Sequence, residues 1–150
     1  MKMSRFTPEN QEIHTTVAAM FFNESKDSIL MIEKSDPAYG KKYSIVAGHV
    51  EEGESIEEAF KREIKEELDL DDVNYSLIHS FKELKDSCRY GAHLHDWHLF
   101  NVDFIPDINS QFFDREEISS FKWMKLEDLP AFSGNLTSGA KSLFLALGWI

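Results

Sequence analysis

Residues Ser55 to Leu68 constrain this chain more than any other stretch. Ile56, Phe60, Ile64 and Leu68 recur at helical spacing and form one apolar stripe, so the segment is expected to fold as a helix with that stripe against a core. Its start is well specified. Ser55-Ile56-Glu57-Glu58 reads as a capping box, in which the Ser55 hydroxyl accepts from an early helical N–H and Glu58 bonds back to Ser55. Gly53, just upstream, lets the chain turn.

Eight glutamates lie between Glu51 and Glu67, against only Lys61, Arg62 and Lys65. Glu57 and Glu58 precede Lys61 and Arg62 by four residues, in the favourable acid-first order, and are accounted for as a solvated face. Glu63, Glu66 and Glu67 differ. They gather at one edge of the apolar stripe beside the small Ala59, and Glu63 and Glu67 form a like-charge pair worth about 0.2–0.5 kcal/mol of repulsion on a bare helix. Partial burial makes that worse unless a cation lies between them. Carboxylates at spacings of three and four offer the hard oxygen ligands that suit Mg²⁺ or Mn²⁺. Spacing alone leaves this reading level with a plain charged face screened by Arg62 and Lys65.

Composition narrows the field. The 150 residues fit a single domain spanning 1–150, and 42% hydrophobic with 29% charged residues is ordinary for a globular protein. The formal net charge of -11 opposes non-specific binding to DNA or RNA. No apolar run approaches the ~18 residues of a membrane span, and Met1 to Arg5 lacks the apolar core of a secretory signal. Cys88 is the sole cysteine, which excludes an intrachain disulfide and a multi-cysteine zinc site and makes a cytoplasmic home the expectation.

Strands are expected over residues 14–22, 28–33, 43–47, 73–81, 97–105 and 121–126, helices over 55–68 and 135–147, and loops over 34–42 and 106–120. Strands interleaved with two helices predict an α/β layered domain.

The stretch from Gly48 to Leu70 resembles the Nudix box, G-x5-E-x7-R-E-U-x-E-E-x-G-U with U aliphatic. Gly48, Glu54, Arg62, Glu63, Ile64, Glu66, Glu67 and Leu70 fall on the pattern; the last glycine is replaced by Asp69. Asp is among the few residues that visit the left-handed conformation a helix-ending glycine supplies. The order of strands around the box, and the Trp123 strand running into Glu127-Asp128-Leu129-Pro130, extend the resemblance over most of the chain.

The resemblance implies a Nudix-type α/β/α sandwich with a mixed β-sheet and a hydrolase of diphosphate linkages in a nucleoside diphosphate derivative or (d)NTP, dependent on Mg²⁺ or Mn²⁺. It makes Glu66 and Glu67 metal ligands, Glu63 a ligand or the base, and the Gly48 carbonyl a further ligand. Arg62 then holds Glu54 in place. In some members the base comes from a later loop, and Glu117 is the candidate for that role. The implied partner is a small nucleotide-like diphosphate, with no nucleic-acid duplex and no membrane, and with room for a homodimer.

Tyr43 and Trp97 are candidate pocket walls, and Lys42, with Lys41, is a candidate phosphate contact, against the commoner outcome of solvated loop lysines. His93, His95 and His98 with Cys88 nearby do not offer four zinc ligands at closed spacing and are expected to be hairpin or pocket-lining side chains. Two other functions share the resemblance: an isopentenyl-diphosphate isomerase-like enzyme working through Cys88 and a glutamate, and a nucleotide-binding regulatory domain. Retention of Glu63, Glu66 and Glu67 favours a hydrolase over the latter.

Overall fold

The computed structural model describes residues 1–36, 40–105 and 118–150. The chain runs β1 (Ser4–Phe6), β2 (Glu12–Phe21), β3 (Ser28–Asp36), β4 (Gly40–Ser44), β5 (Val46–His49), α1 (Ile56–Leu68), β6 (Tyr75–Lys85), β7 (Leu94–Val102), β8 (Ile118–Lys125), a 3₁₀ segment (Leu126–Asn135) and α2 (Ser138–Leu147). Among the described residues, eight strands form two sheets. One is five-stranded and mixed: β1 and β5 pair antiparallel with β2, β2 lies parallel to β7, and β7 is antiparallel to β6. The other is antiparallel, in the order β4-β3-β8.

Two apolar layers fill the space on either side of the strands. Val17, Ala19 and Phe21 of β2 meet Ala59, Phe60, Ile64 and Leu68 of α1 in one. Ala18 and Met20 meet Ala140, Leu143 and Phe144 of α2 in the other. Burial on both faces explains why β2 is apolar almost without alternation. The result is the expected α/β/α arrangement. Among the described residues, no helix is long and apolar enough to cross a membrane.

Several boundaries move. The expected loop over 34–42 is largely strand, because β3 continues to Asp36 and pairs with β4 from Gly40 onward. The expected single strand over 43–47 is two strands in different sheets: Tyr43 and Ser44 pair with β3, whereas Val46 to His49 pair with β2. Ile45, fully buried, is where the chain changes sheets. That crossing delivers Gly48 and His49 to the base of α1. Residues 126–135 form 3₁₀ turns with Pro130 inside, and α2 starts only at Ser138, where the Thr137 hydroxyl accepts from the Ala140 N–H.

Candidate active site

Helix α1 begins as its sequence dictates. The Ser55 Oγ accepts from the Glu58 N–H at 3.0 Å, and Glu58 Oε1 accepts from the Ser55 N–H at 3.2 Å. At the other end Asp69 takes the left-handed conformation (φ 54°, ψ 38°) that a glycine would adopt freely. Its N–H reaches the Lys65 carbonyl at 3.0 Å, and its carboxylate accepts from Lys65 Nζ at 2.6 Å.

Between these caps the glutamates separate as the stripe predicts. Glu67 is 5% exposed, level with the core residues Ile64 and Leu68. The Glu63 side chain is 13% exposed, and that of Glu66 stands out at 55%. Gly48 of β5 packs directly under Glu63, so closely that a methyl group in place of its hydrogen would collide with the carboxylate. This is the one glycine of the box whose small size the packing itself demands.

Arg62 organises the ring of acids. Its Nε and Nη2 donate to Glu54 Oε2 and Oε1 at 2.8 and 2.9 Å, a bidentate pair. Nη1 donates to Glu63 Oε1 at 2.8 Å and reaches Glu66 Oε2 at 3.5 Å, while Nη2 also donates to the His49 carbonyl at 2.9 Å. Glu54 Oε1 in turn accepts from the Glu51 N–H at 3.0 Å. One guanidinium therefore ties the loop before α1, the end of β5 and the acidic edge of the helix together.

The electrostatics follow. Burial pushes the Glu63 carboxyl above its ordinary range, opposed by the charge and hydrogen bond of Arg62; Glu66 adds to the rise and Lys34 to the opposition. The hydrogen bond from Arg62 holds Glu54 below the ordinary carboxylate range. Two sunken carboxylates and a third at the rim are oxygen donors of the kind a hard divalent cation takes, and the Glu63 carboxylate fits against Gly48 only because that residue has no Cβ. The donor set fits Mg²⁺.

The outlying candidates fare differently. Trp97 is not a pocket wall beside the acids. It is 6% exposed, packs in the α2-side layer and donates from Nε1 to Asp86 Oδ2 at 3.0 Å, because its register on β7 turns it away from α1. Lys42 Nζ donates to the Gly134 carbonyl at 3.0 Å, and Lys41 pairs with Glu33 at 3.3 Å, so these two lysines tie the β4 edge to its neighbours. Tyr43 packs edge-on against Phe132 with Lys122 over its ring at 5.1 Å. Glu117 lies outside the described residues. Lys34, hidden in what reads as a loop, shares the α1-side parity of Ile32 and is the cation that the sequence reading missed.

The histidines also regroup. His93 pairs with Ser87 and His98 with Ser80, whereas His95 and Cys88 meet His14 and His49 in one cluster.

A mixed-sheet sandwich with an arginine-braced acidic helix seated on a glycine defines a Nudix domain, and the chain belongs to that family: the NUDIX domain profile matches residues 12–146. It is 25% identical over 134 residues to an RNA pyrophosphohydrolase of Wolbachia pipientis subsp. Culex pipiens (strain wPip), covering 82% of this chain and 81% of that one. Its fold matches DR0079 from Deinococcus radiodurans with a TM-score of 0.71 at 17% identity, over 98% of both chains. It also matches the E. coli dihydroneopterin triphosphate pyrophosphohydrolase with a TM-score of 0.64 at 18% identity, over 89% of this chain and 92% of that one.

Proposed function

We propose that this protein hydrolyses a phosphoanhydride bond in a nucleoside diphosphate derivative or nucleoside triphosphate, using Mg²⁺ (or Mn²⁺) held by Glu63, Glu66, Glu67 and the Gly48 carbonyl. The observation that carries the reading is the pair of carboxylates, Glu63 and Glu67, sunk at the edge of the α1 stripe, with Glu63 seated against the bare Cα of Gly48. Arg62 already offsets part of this negative charge, and carboxylates gathered at helical spacing are the oxygen donors that a hard divalent cation takes. The pyrophosphohydrolase activity named for the Wolbachia relative agrees with this class.

When bound, Mg²⁺ supplies neutralisation of charge on the diphosphate oxygens and acidification of water, the two effects that let water attack phosphorus at neutral pH. The protein's own residues set the geometry. Arg62, fixed by Glu54, orients Glu63 and keeps it from swinging into solvent. Glu63, braced by Arg62, then serves as a ligand of that cation, and the base is the role proposed for Glu117. Lys34 brings positive charge to the same face, where a terminal phosphate of the substrate carries negative charge.

An isomerase working through a cysteine and a glutamate needs the two side by side. Cys88 instead lies 3.6 Å from His14 Nδ1, in the cluster on the other face of the sheet.

The test is a panel of nucleotide sugars, ADP-ribose, dinucleoside polyphosphates, (d)NTPs and a 5′-triphosphate-ended RNA, incubated with and without Mg²⁺ and resolved by product. Mg²⁺-dependent cleavage of one class is the expected result. Absence of cleavage throughout, with Mg²⁺ still bound, would point to a regulatory domain instead.

A further inference from the structure

We propose that His14, His49, Cys88 and His95 form a second metal centre, a closed Zn²⁺ site on the sheet face opposite α1. Their ligand atoms, three imidazole nitrogens and one sulfur, all lie within 4.8 Å of one another. The site is assembled by sheet register. His14 on β2 stands directly across from His95 on β7, and His49 on β5 pairs in the ladder with Thr16, two residues along β2. Cys88 comes from the turn between β6 and β7, closed by Gly91 N–H to the Cys88 carbonyl at 3.1 Å and Cys88 N–H to the Ala92 carbonyl at 3.1 Å.

The hydrogen bonding of the rings points inward. His95 is 1% exposed; its Nδ1 lies 3.0 Å from Asp86 Oδ1 and 3.2 Å from the Asp86 carbonyl, while its Nε2 is buried with no hydrogen-bond partner. Asp86 is itself fixed by Trp97 Nε1. His14 Nε2 pairs with Glu12 Oε1 at 3.0 Å, which leaves its Nδ1 facing Cys88 Sγ at 3.6 Å. His49 Nε2 is a second buried nitrogen without a partner. In His95 a far nitrogen held by a carboxylate and a near nitrogen with a bare lone pair give the arrangement of metal-bound histidines, where the outer carboxylate sets the tautomer, and His14 shares the carboxylate half of it.

The bland alternative is three neutral rings packed edge to face, with centroids 5.1, 5.5 and 5.7 Å apart. That packing leaves two buried ring nitrogens unpaired, a standing cost that a cation removes. Four ligands around Zn²⁺ at about 2.0–2.3 Å are separated by about 3.3–3.8 Å. The Cys88–His14 spacing already matches, and the rest need a contraction of at most about 1.5 Å, toward which the half-buried His49 and Cys88 side chains can move.

Nitrogen and sulfur donors select Zn²⁺ over Mg²⁺, and four protein ligands leave no open position, so the centre is structural. It would staple β2, β5, β7 and the 86–93 turn. On binding, the Cys88 thiol gives its proton to solvent and the thiolate bonds the metal. His49 adjoins Gly48 and its carbonyl accepts from Arg62, so the staple would also steady the floor of the acidic site. None of this depends on the hydrolase reading.

The test is the metal content of the full chain, expressed with zinc supplied, purified with Cys88 kept reduced and dialysed against Mg²⁺. Stoichiometric zinc is expected. Apoprotein reloaded with Co²⁺ should show thiolate-to-cobalt charge-transfer absorption and tetrahedral visible bands. Cys88→Ser should lose the charge-transfer band and His95→Gln the bound zinc, whereas Glu67→Gln keeps both. The wild-type measurements stand even if a variant folds poorly. Substoichiometric zinc, copper in its place, cobalt without the thiolate band, or zinc lost in Glu67→Gln but kept in Cys88→Ser would each overturn the assignment.

Discussion

The two faces of the five-stranded sheet carry clusters of opposite chemical character, built in opposite ways. On the α1 face, Glu54, Arg62, Glu63, Glu66 and Glu67 come from fourteen consecutive positions, and a helix turns their spacing into geometry. On the α2 face, His14, His49, Cys88 and His95 come from four separate segments that only strand pairing brings together. Hard oxygen donors gather on one face, and nitrogen and sulfur donors on the other. Two adjacent residues join them: Gly48 packs under Glu63, and His49 points its ring to the far side while its carbonyl holds Arg62. Period-two alternation of a single short strand thus serves both faces.

That contrast can be broken by substitution. Among substitutions that leave every carboxylate in place, Gly48→Ala should have the largest effect, since the added methyl displaces Glu63: kcat/KM is expected to fall on the order of 10²-fold, because a misplacement near 1 Å costs that much. A steady-state assay on the best substrate checks it; unchanged kinetics would mean the cradle is not needed. On the other face, Trp97→Phe removes a buried hydrogen bond to Asp86 and should destabilise the fold by ~1–3 kcal/mol in urea unfolding. Its KM should be unaltered. A raised KM with stability intact would return Trp97 to the substrate pocket.

Glu54→Gln sharpens the electrostatic half of the comparison. The folded carboxyl is held below its ordinary value of 4.5 by the hydrogen bond from Arg62. Its contribution to stability is therefore fully present above that value and is lost as pH falls through the folded pKa. The variant should lose ~1–2 kcal/mol at neutral pH, by weakening charge-assisted bonds, and should show a flatter acid limb below pH 4.5 in unfolding measured across pH. An unaltered acid limb would remove Glu54 from the account. The smallest effect is expected for Asp69→Gly, which relieves a left-handed residue but forfeits the exposed pair with Lys65; a net stabilisation below about 1 kcal/mol in thermal unfolding is expected.

The same contrast explains what the sequence could and could not disclose. The capping box at Ser55, the stripe through Ile64 and the tolerance of Asp69 for a helix terminus are local, and each appears in the structure. So does the Arg62–Glu54 contact, eight residues apart. The histidine cluster depends on the β2–β7 and β2–β5 registers, which no local pattern specifies: sequence proximity sets His95 and Cys88 beside His93 and His98, whereas strand pairing sets them beside His14 and His49. Trp97 and His95 share one face of β7, and its orientation toward α2 follows from burial of both sides of the sheet. Lys34 was hidden because Pro37 and Gly40 mark a turn, yet the strand continues to Asp36 and carries Lys34 on the α1 side. The break at Ile45 is equally nonlocal: five apolar-leaning residues read as one strand, and only the competition of two sheets for them divides it.

The central claim is that the sunken edge of α1 is where Mg²⁺ acts. The most direct measurement is kcat against Mg²⁺ concentration for wild type, Glu67→Gln and Glu57→Gln, two identical charge removals on one helix. Glu57 belongs to the solvated face and pairs with Lys61. Loss of on the order of 10³-fold is expected for Glu67→Gln at saturating Mg²⁺, as suits the removal of several kcal/mol of metal-borne stabilisation, with Glu57→Gln close to wild type. Equal activity in all three, or equal loss in both variants, would contradict it.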